Sequence, residues 1–294
     1  MSPATLDTRG LLLHLAAPLQ SWGETGQFNE RDTAPFPTRS GVIGLLAAAL
    51  GRKRGDDIGD LARLSLTVRT DRPGTILRDL HTVGGGLPAA RTVTTAEGKK
   101  RTGATATLLS HRYYLADAAF TAVVTIADPA DPEDLDRWAE ALRNPHWPPY
   151  LGRRSCPPEG PLLLGLVDDP LHHLVHLPIA RRARAGTRTV DVLFHSDQPL
   201  DRLGDHPQPG DRPRAGEDDG STPAGEVTDD PLTFHPRRRA YRARPRYQRT
   251  LTLPADRCRG LAAGYLTALG DYLDRHTTHP GRPSHPTRPE SVPA

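Results

Sequence analysis

Residues 10–51 hold two blocks whose order limits the fold: GLLLHLAAPLQSWG and, after a short polar stretch, PFPTRSGVIGLLAAALG. Residues 11–17 are apolar nearly throughout, as a central strand covered on both faces must be. Pro18 and Gly23 punctuate its end around the turn Gln20-Ser21-Trp22-Gly23. In the second block Thr38 or Ser40 can cap a helix in which Val42, Ile43, Leu46, Ala49 and Leu50 recur at helical spacing. Strand, aromatic turn and basic helix start bring a Trp, an Arg, hydroxyls and free backbone amides to one edge of one sheet. That set suits a phosphate–sugar chain and offers little for covalent catalysis.

The rest of the chain sets this unit in a larger pattern. Leu64, Leu66, Val68 and Thr70 alternate with polar neighbours and predict a second strand. Asp71-Arg72-Pro73-Gly74 reads as a turn, and residues 75–82 resume an extended pattern. Residues 83–107 contain Gly84-Gly85-Gly86, many threonines and Glu97-Gly98-Lys99-Lys100-Arg101, with almost no large apolar side chain after Leu87. Such a stretch cannot build a core and reads as a long hairpin with a basic tip. Residues 108–115 return from it, and 120–127 form an apolar strand. Asp131-Pro132-Glu133-Asp134 starts a helix faced by Leu135, Trp138 and Leu142. Residues 150–158, YLGRRSCPP, form a rigid basic loop before a last strand at 161–167.

The order β-α-β-(insertion)-β-α-β predicts an α+β fold, the ferredoxin-like, RRM-like βαββαβ arrangement of RNA-recognition modules. It spans residues 1–170, with a thumb-like hairpin at about 75–110. Residues 171–275 read as a smaller, partly disordered β-rich and helical extension, and 276–294 as a tail. Residues 197–232, rich in Pro, Gly and acids, are the expected disordered insertion. The extension also carries Arg181, Arg182, Arg184 and Arg188, then seven arginines within 235–249. The second tract reads either as a nucleic-acid surface or as a disordered basic stretch.

Composition narrows the class without deciding it. The 38 basic residues barely exceed the 35 acidic ones, so net charge alone names no partner. Lys occurs only at Lys53, Lys99 and Lys100, so 38 − 3 = 35 of the basic residues are Arg, the side chain that binds phosphate bidentately and stacks on bases. GC-rich coding would give the same bias. Cys156 and Cys258 make no disulfide framework, and no Cys-x-x-Cys exists. No apolar run reaches the roughly 18 residues of a membrane span, and no signal segment opens the chain, so a cytoplasmic setting is expected.

LLLHLAAPLQSWG, PTRSGVIGLLAAALGRKRGDD, YYLADAAFTAVV and YLGRRSCPP follow one another within residues 10–168. Together they resemble the CasD subunits of type I-E CRISPR Cascade complexes, members of the fifth Cas family in the RAMP superfamily. The resemblance implies a ferredoxin-like fold with a thumb and a non-catalytic part in antiviral defence. It implies binding of the 5′ handle of the crRNA and contacts with the backbone subunit and the large subunit. Target DNA would be met only indirectly through the complex, with no membrane, metal or cofactor. The thumb would cross the guide and displace a nucleotide, and residues 39–44 would correspond to the family's glycine-rich helix start. From about residue 177 the match loosens.

The candidate RNA-binding residues are Gln20, Trp22, Arg31, Arg39, Ser40, Gly41, His81, Lys99, Lys100, Arg101, His111, Arg112, Tyr113, Arg153 and Arg154. Trp22 reads either as a core plug or as a partly exposed stacking ring. Arg39 in the first helical turn opposes the dipole, which a phosphate partner would relieve. Gly41 and Gly44 serve either helix–sheet packing or close approach of a backbone. Lys99, Lys100 and Arg101 are either a solubilising tip or an RNA contact. Prolines and Gly152 restrict the loop presenting Arg153 and Arg154. The alternative function is a metal-independent endoribonuclease using His81, His111, Tyr113 and Tyr114 on the hairpin arms, although no Lys stands near them. His172-His173-x-x-His176 lies in a segment that reads as strand-like, with no acidic or Cys ligand at matching spacing, and so argues against zinc.

Overall fold

A computed structural model of the chain describes residues 9–23, 29–85, 88–92, 94–95, 98–101, 106–126, 133–203, 212–213 and 219–276. Its elements are β1 (Arg9–Ala16), β2 (Leu19–Gln20), β3 (Glu30–Arg31), α1 (Arg39–Ala49), β4 (Leu64–Arg72), β5 (Thr75–Val83), β6 (Leu108–Ala116), β7 (Ala119–Ile126) and α2 (Glu133–Arg143). They continue as β8 (Leu163–Asp168), α3 (Pro170–His176), β9 (Thr189–Ser196), β10 (Arg212–Pro213), β11 (Gly225–Thr233), β12 (Ala240–Pro254) and α4 (Ala262–His276). The fold is α+β with mostly antiparallel sheets.

The large sheet runs β10-β12-β9-β4-β7-β1-β8, and β11 pairs with β12. Each neighbouring pair is antiparallel. β1 lies inside this sheet, and its alternate side chains enter two cores. Leu11, Leu13 and Leu15 meet the buried residues of α1 and α2. Leu12 and Ala16 face the other way, toward residues of α3 and α4. A strand sandwiched between helices has no solvent face to make polar, hence the nearly unbroken apolar run.

Local chemistry sets the helices. The Thr38 hydroxyl accepts a hydrogen bond from the Gly41 amide at 3.3 Å and caps α1. α2 buries Leu135, Trp138 and Leu142 on one face. Its expected cap at Asp131-Pro132 lies outside the described residues. The histidine-rich segment is helix rather than strand, a correction. The Asp169 side chain accepts from the His172 amide, and Pro170 opens α3. Among the described residues no group of three or more His, Cys, Asp or Glu is placed to hold a metal ion.

A second sheet joins β5 and β6 as an antiparallel hairpin, with β2 and β3 also pairing along β6. β5 is open on both faces: Ile76 and, on the opposite face, Leu77 are 58% and 44% exposed. Near the far end Thr94 bridges Lys100, and the Thr95 amide donates to the Lys99 carbonyl at 2.8 Å.

The described parts of the stretch 197–232 depart from the expectation of disorder. Residues 197–203 and 219–232 are described and include most of β11, while 204–211 and 214–218 lie outside the described residues. Asp229 and Asp230 are buried and bind Arg244 and Arg242 across the β11–β12 ladder, at 2.6 and 2.8 Å. Acids that look solvated in the sequence are the counter-ions of arginines 12 and 15 residues later. The tail 277–294 lies outside the described residues.

Candidate nucleic-acid interface

The outward face of α1 carries Ser40, Gly41, Gly44 and Ala48, which leave a trough instead of a ridge. Residues 52–54, the segment 147–154 and the β11–β12 turn wall it. The result is a cavity of about 830 Å³ lined by Lys53, Arg54, Trp147, Tyr150, Arg154, Arg239 and Tyr241, among others. A second cavity, about 580 Å³, adjoins it and adds Ser21, Trp22, Arg31 and Arg153. The two share Ser40, Gly41, Gly152, Phe234, Arg239 and Tyr241 and so form one groove.

The loop 150–156 is held tightly against the end of the first strand unit. The Ser21 amide donates to the Leu151 carbonyl at 3.1 Å. Gly152 has φ +84°, and a Cβ there would sit 1.6 Å from the Ser21 carbonyl oxygen. Only glycine permits both. Arg153 is thereby fixed: its guanidinium lies 4.6 Å from the centre of the Tyr114 ring, and Nη2 donates to the Arg31 carbonyl at 3.0 Å. Its Nη1 is buried with no hydrogen-bond partner among the described residues. Arg154 is exposed, as are Lys53, Arg54 and Arg239, and none of the four forms an ion pair among the described residues. Arg52 differs, for Asp60 holds it at 2.5 Å and raises its pKa through that hydrogen bond.

Of the sequence candidates, Trp22, Arg31, Ser40, Gly41, Arg153 and Arg154 line the groove. Three of the expected roles are corrected. Trp22 is 1% exposed and is a core plug, not a stacking ring. Its indole N–H donates to Gln20 Oε1 at 2.9 Å, and the fully buried Gln20 amide donates to the Leu15 and Ala118 carbonyls. Gln20 therefore has no surface to offer RNA. The Trp22 ring also explains Gly41, where a Cβ would approach it to 2.6 Å. Arg39 is 8% exposed and already neutralised by Asp197 at 2.5 Å and Asp230 at 3.1 Å, with the Leu64 and Ala62 carbonyls completing its partners. Asp229 accepts from the Arg39 amide at 2.6 Å. The phosphate expected at this helix start is replaced by carboxylates from the C-terminal half.

The hairpin residues stay apart from the groove. Lys99 is exposed, Lys100 Nζ donates to the Thr92 carbonyl at 3.1 Å, and Arg101 is half-buried. His81 pairs opposite Ser110 and His111 opposite Leu80, so they occupy opposite faces of the ladder. Tyr113 shares the face of His111, whose ring nitrogens contact Arg78 at 2.8 and 3.2 Å, while Tyr114 and Arg112 share that of His81. The four residues of the nuclease alternative are thus divided between two faces.

The sequence reading missed Lys53, Arg54, Trp147, Phe234, Arg239 and Tyr241 as groove residues. Trp147, between His146 and two prolines, carried a local signal: a rigid, aromatic-bearing loop. Phe234, Arg239 and Tyr241 carried none, since they reach α1 only through the β11–β12 turn. With free cations for phosphates, Trp147, Tyr150 and Tyr241 for base faces, and a small-residue floor, the groove has the chemistry of a single-stranded nucleic-acid track.

The family model described as CRISPR-associated protein (Cas_Cas5) matches residues 10–247, which include every groove residue named above. The chain belongs to this CRISPR-associated family. Among similar proteins, the CRISPR system Cascade subunit CasD of Escherichia coli (strain K12) is 38% identical over 180 residues, covering 56% of this chain and 75% of that one. A solved structure described as a CRISPR RNA-guided surveillance complex superposes on this family member with a TM-score of 0.73 at 39% identity, covering 90% of this chain and 99% of that one. Another, described as a crystal structure of a Cas protein, gives 0.52 at 32% identity over 85% and 97%.

Proposed function

We propose that the chain is the CasD-type subunit of a type I-E Cascade complex, a non-catalytic RNA-binding scaffold of cytoplasmic antiviral defence. It caps the 5′ handle of the crRNA and joins the backbone subunit to the large subunit. The observation that carries this reading is the continuous groove along α1, with four cations that form no ion pair among the described residues and three accessible aromatic rings on a small-residue floor. The strand order β8-β1-β7-β4, with α1 and α2 on one face, supports a ferredoxin-like core. The β5–β6 hairpin is the thumb. Its exposed Ile76, Leu77, Leu80 and Leu109 are suited to burial against the guide or a neighbouring subunit. Catalysis by His81, His111, Tyr113 and Tyr114 would require side chains on opposite faces of one ladder to meet, which argues against the nuclease alternative.

The test is co-expression with the genomic neighbours and a CRISPR array, followed by crosslinking mapped to single nucleotides. Crosslinks from the loop 150–156 and the β11–β12 turn to the 5′ handle are expected. Absence of RNA from the purified assembly, or cleavage of repeat RNA in EDTA by this chain alone, would overturn the reading. Deleting residues 84–105 is expected to leave the fold intact and impair assembly. Normal assembly and guide binding by that variant would remove the thumb assignment.

A further inference from the structure

We infer that the loop 180–188 and the neighbouring Arg259 form a second nucleic-acid surface, one that takes the phosphate backbone of a duplex. This surface lies outside the groove, and its reading does not rest on that of the groove. Residues 180–190 carry four arginines and no carboxylate. Arg182, Arg184, Arg188 and Arg259 are exposed, and none forms an ion pair or side-chain hydrogen bond among the described residues. Arg181 differs, with its guanidinium donating to the Asp191 carbonyl at 2.8 Å.

The loop is a built platform. Its first end is fixed by amide hydrogen bonds from Ile179 to the Arg257 carbonyl, from Arg259 to that of Ile179, and from Gly260 to that of Arg181, at 2.8, 3.1 and 3.1 Å. Its last end is held by the Ala255 amide on the Arg188 carbonyl at 2.9 Å. Between them, the Thr187 hydroxyl and amide both bond the Arg184 carbonyl, and Gly186 takes φ +80° to close the turn. Four exposed guanidiniums carried on this anchored loop and its neighbouring segment make a locally positive surface that favours an anion. Among the described residues, neither Asp191 nor Asp256 forms an ion pair with these four side chains. Asp191 accepts the Thr252 hydroxyl at 2.8 Å, and Asp256 is exposed beyond the loop.

Composition selects the partner. Apart from arginine, residues 180–190 are Ala, Gly, Thr and one Val, with no aromatic ring. A single strand would lack the stacking platform that the groove provides. A protein partner would lack the apolar centre on which stable interfaces are built. Phosphates presented at fixed spacing, with bases turned inward, ask only for guanidiniums.

The test measures binding of the purified full chain to a short random-sequence DNA duplex, an RNA duplex of the same sequence and a single-stranded RNA, each across a salt series. The variant is Arg182→Gln/Arg184→Gln/Arg188→Gln. All three side chains are exposed, so its melting temperature is expected to match the parent. For duplex, the slope of log K against log salt is expected to fall by about 2 to 3, with affinity down about tenfold at physiological salt. Single-stranded RNA binding is expected to stay as in the parent. Equal losses on both duplexes assign the site to the backbone common to them; a loss on one alone assigns it to that helix form. Duplex binding by the variant with an unchanged slope would overturn the proposal, as would no duplex binding by the parent. Impaired complex assembly with unaltered duplex binding would make the loop a protein contact and overturn it equally.

Discussion

Residues 235–249 and 180–190 both read in the sequence as arginine-rich tracts, one with seven arginines and the other with four. In the first, the chain folds back as β12, and β11 lies antiparallel beside it. Arg242 and Arg244 meet Asp230 and Asp229, Arg246 meets Gln248, and Arg249 binds the carbonyls of Leu200 and Leu203. Only the turn, with Arg239, is left facing the groove. In the second tract no strand of acids lies alongside among the described residues, and there three of the four arginines form no ion pair. Positive surface is what remains after pairing, and pairing depends on what the topology lays alongside. The same logic explains Arg39, which looks like a phosphate ligand and is spent inside the protein on Asp197 and Asp230.

The largest expected effect tests whether that pairing is structural. Arg39→Ala leaves the buried Asp197 without its cation and Asp230 with Arg242 alone, and should destabilise the fold by about 3–5 kcal/mol in denaturant unfolding. Arg184→Ala, on the open loop, should stay within about 0.5 kcal/mol. Equal effects of the two substitutions would break the comparison.

A pH series sharpens it. Burial lowers the pKa of His195 to about 4, and the neighbouring Arg246 adds to the shift. The unfolded imidazole titrates near 6.5, so between pH 6.5 and 4 the unfolded chain binds more protons. Stability therefore rises with pH through that window and falls on acidification, by up to about 3 kcal/mol from this residue. His195→Asn should flatten part of the curve. Burial also lowers the pKa of His14 and His173, so a residual slope of the same sign remains. An unchanged curve in the His195 variant would show that the ring is solvated.

Gly152→Ala tests the rigid loop. With φ +84° and the Ser21 carbonyl in the way, it should lower stability by about 1–3 kcal/mol and displace Arg153 and Arg154. Melting temperature and single-stranded RNA affinity are both expected to drop; loss of stability alone would separate the loop from binding. The smallest effect belongs to single charges. Arg154→Gln and Arg239→Gln should each reduce the salt slope of single-stranded RNA binding by about 0.7 with unchanged melting. No change in either variant would move the RNA off the groove.

Much of the architecture was legible. The strand at 11–17, the Thr38 cap, the face of α2 and the β5–β6 arms all rest on periodicity or on chemistry a few residues apart, which a linear reading can see. The site was legible in part. The loop at 153–154 could be read from Gly152 and its flanking prolines. Trp22 could not be assigned, because a plug and a stacking ring look alike until Gly41 is seen against the indole. Asp197, Asp229 and Asp230 fell inside the expected disordered insertion, because their arginine partners become neighbours only across the β11–β12 ladder and at α1.

By itself the sequence determined the two-sided burial of β1, the helix starts and the presence of many guanidiniums, since these follow from side-chain type and short-range spacing. Tertiary structure alone decided which guanidiniums are neutralised. A charge pair forms between residues as far apart as 39 and 230, and the strength of any cation toward phosphate depends on whether a carboxylate has already been folded against it.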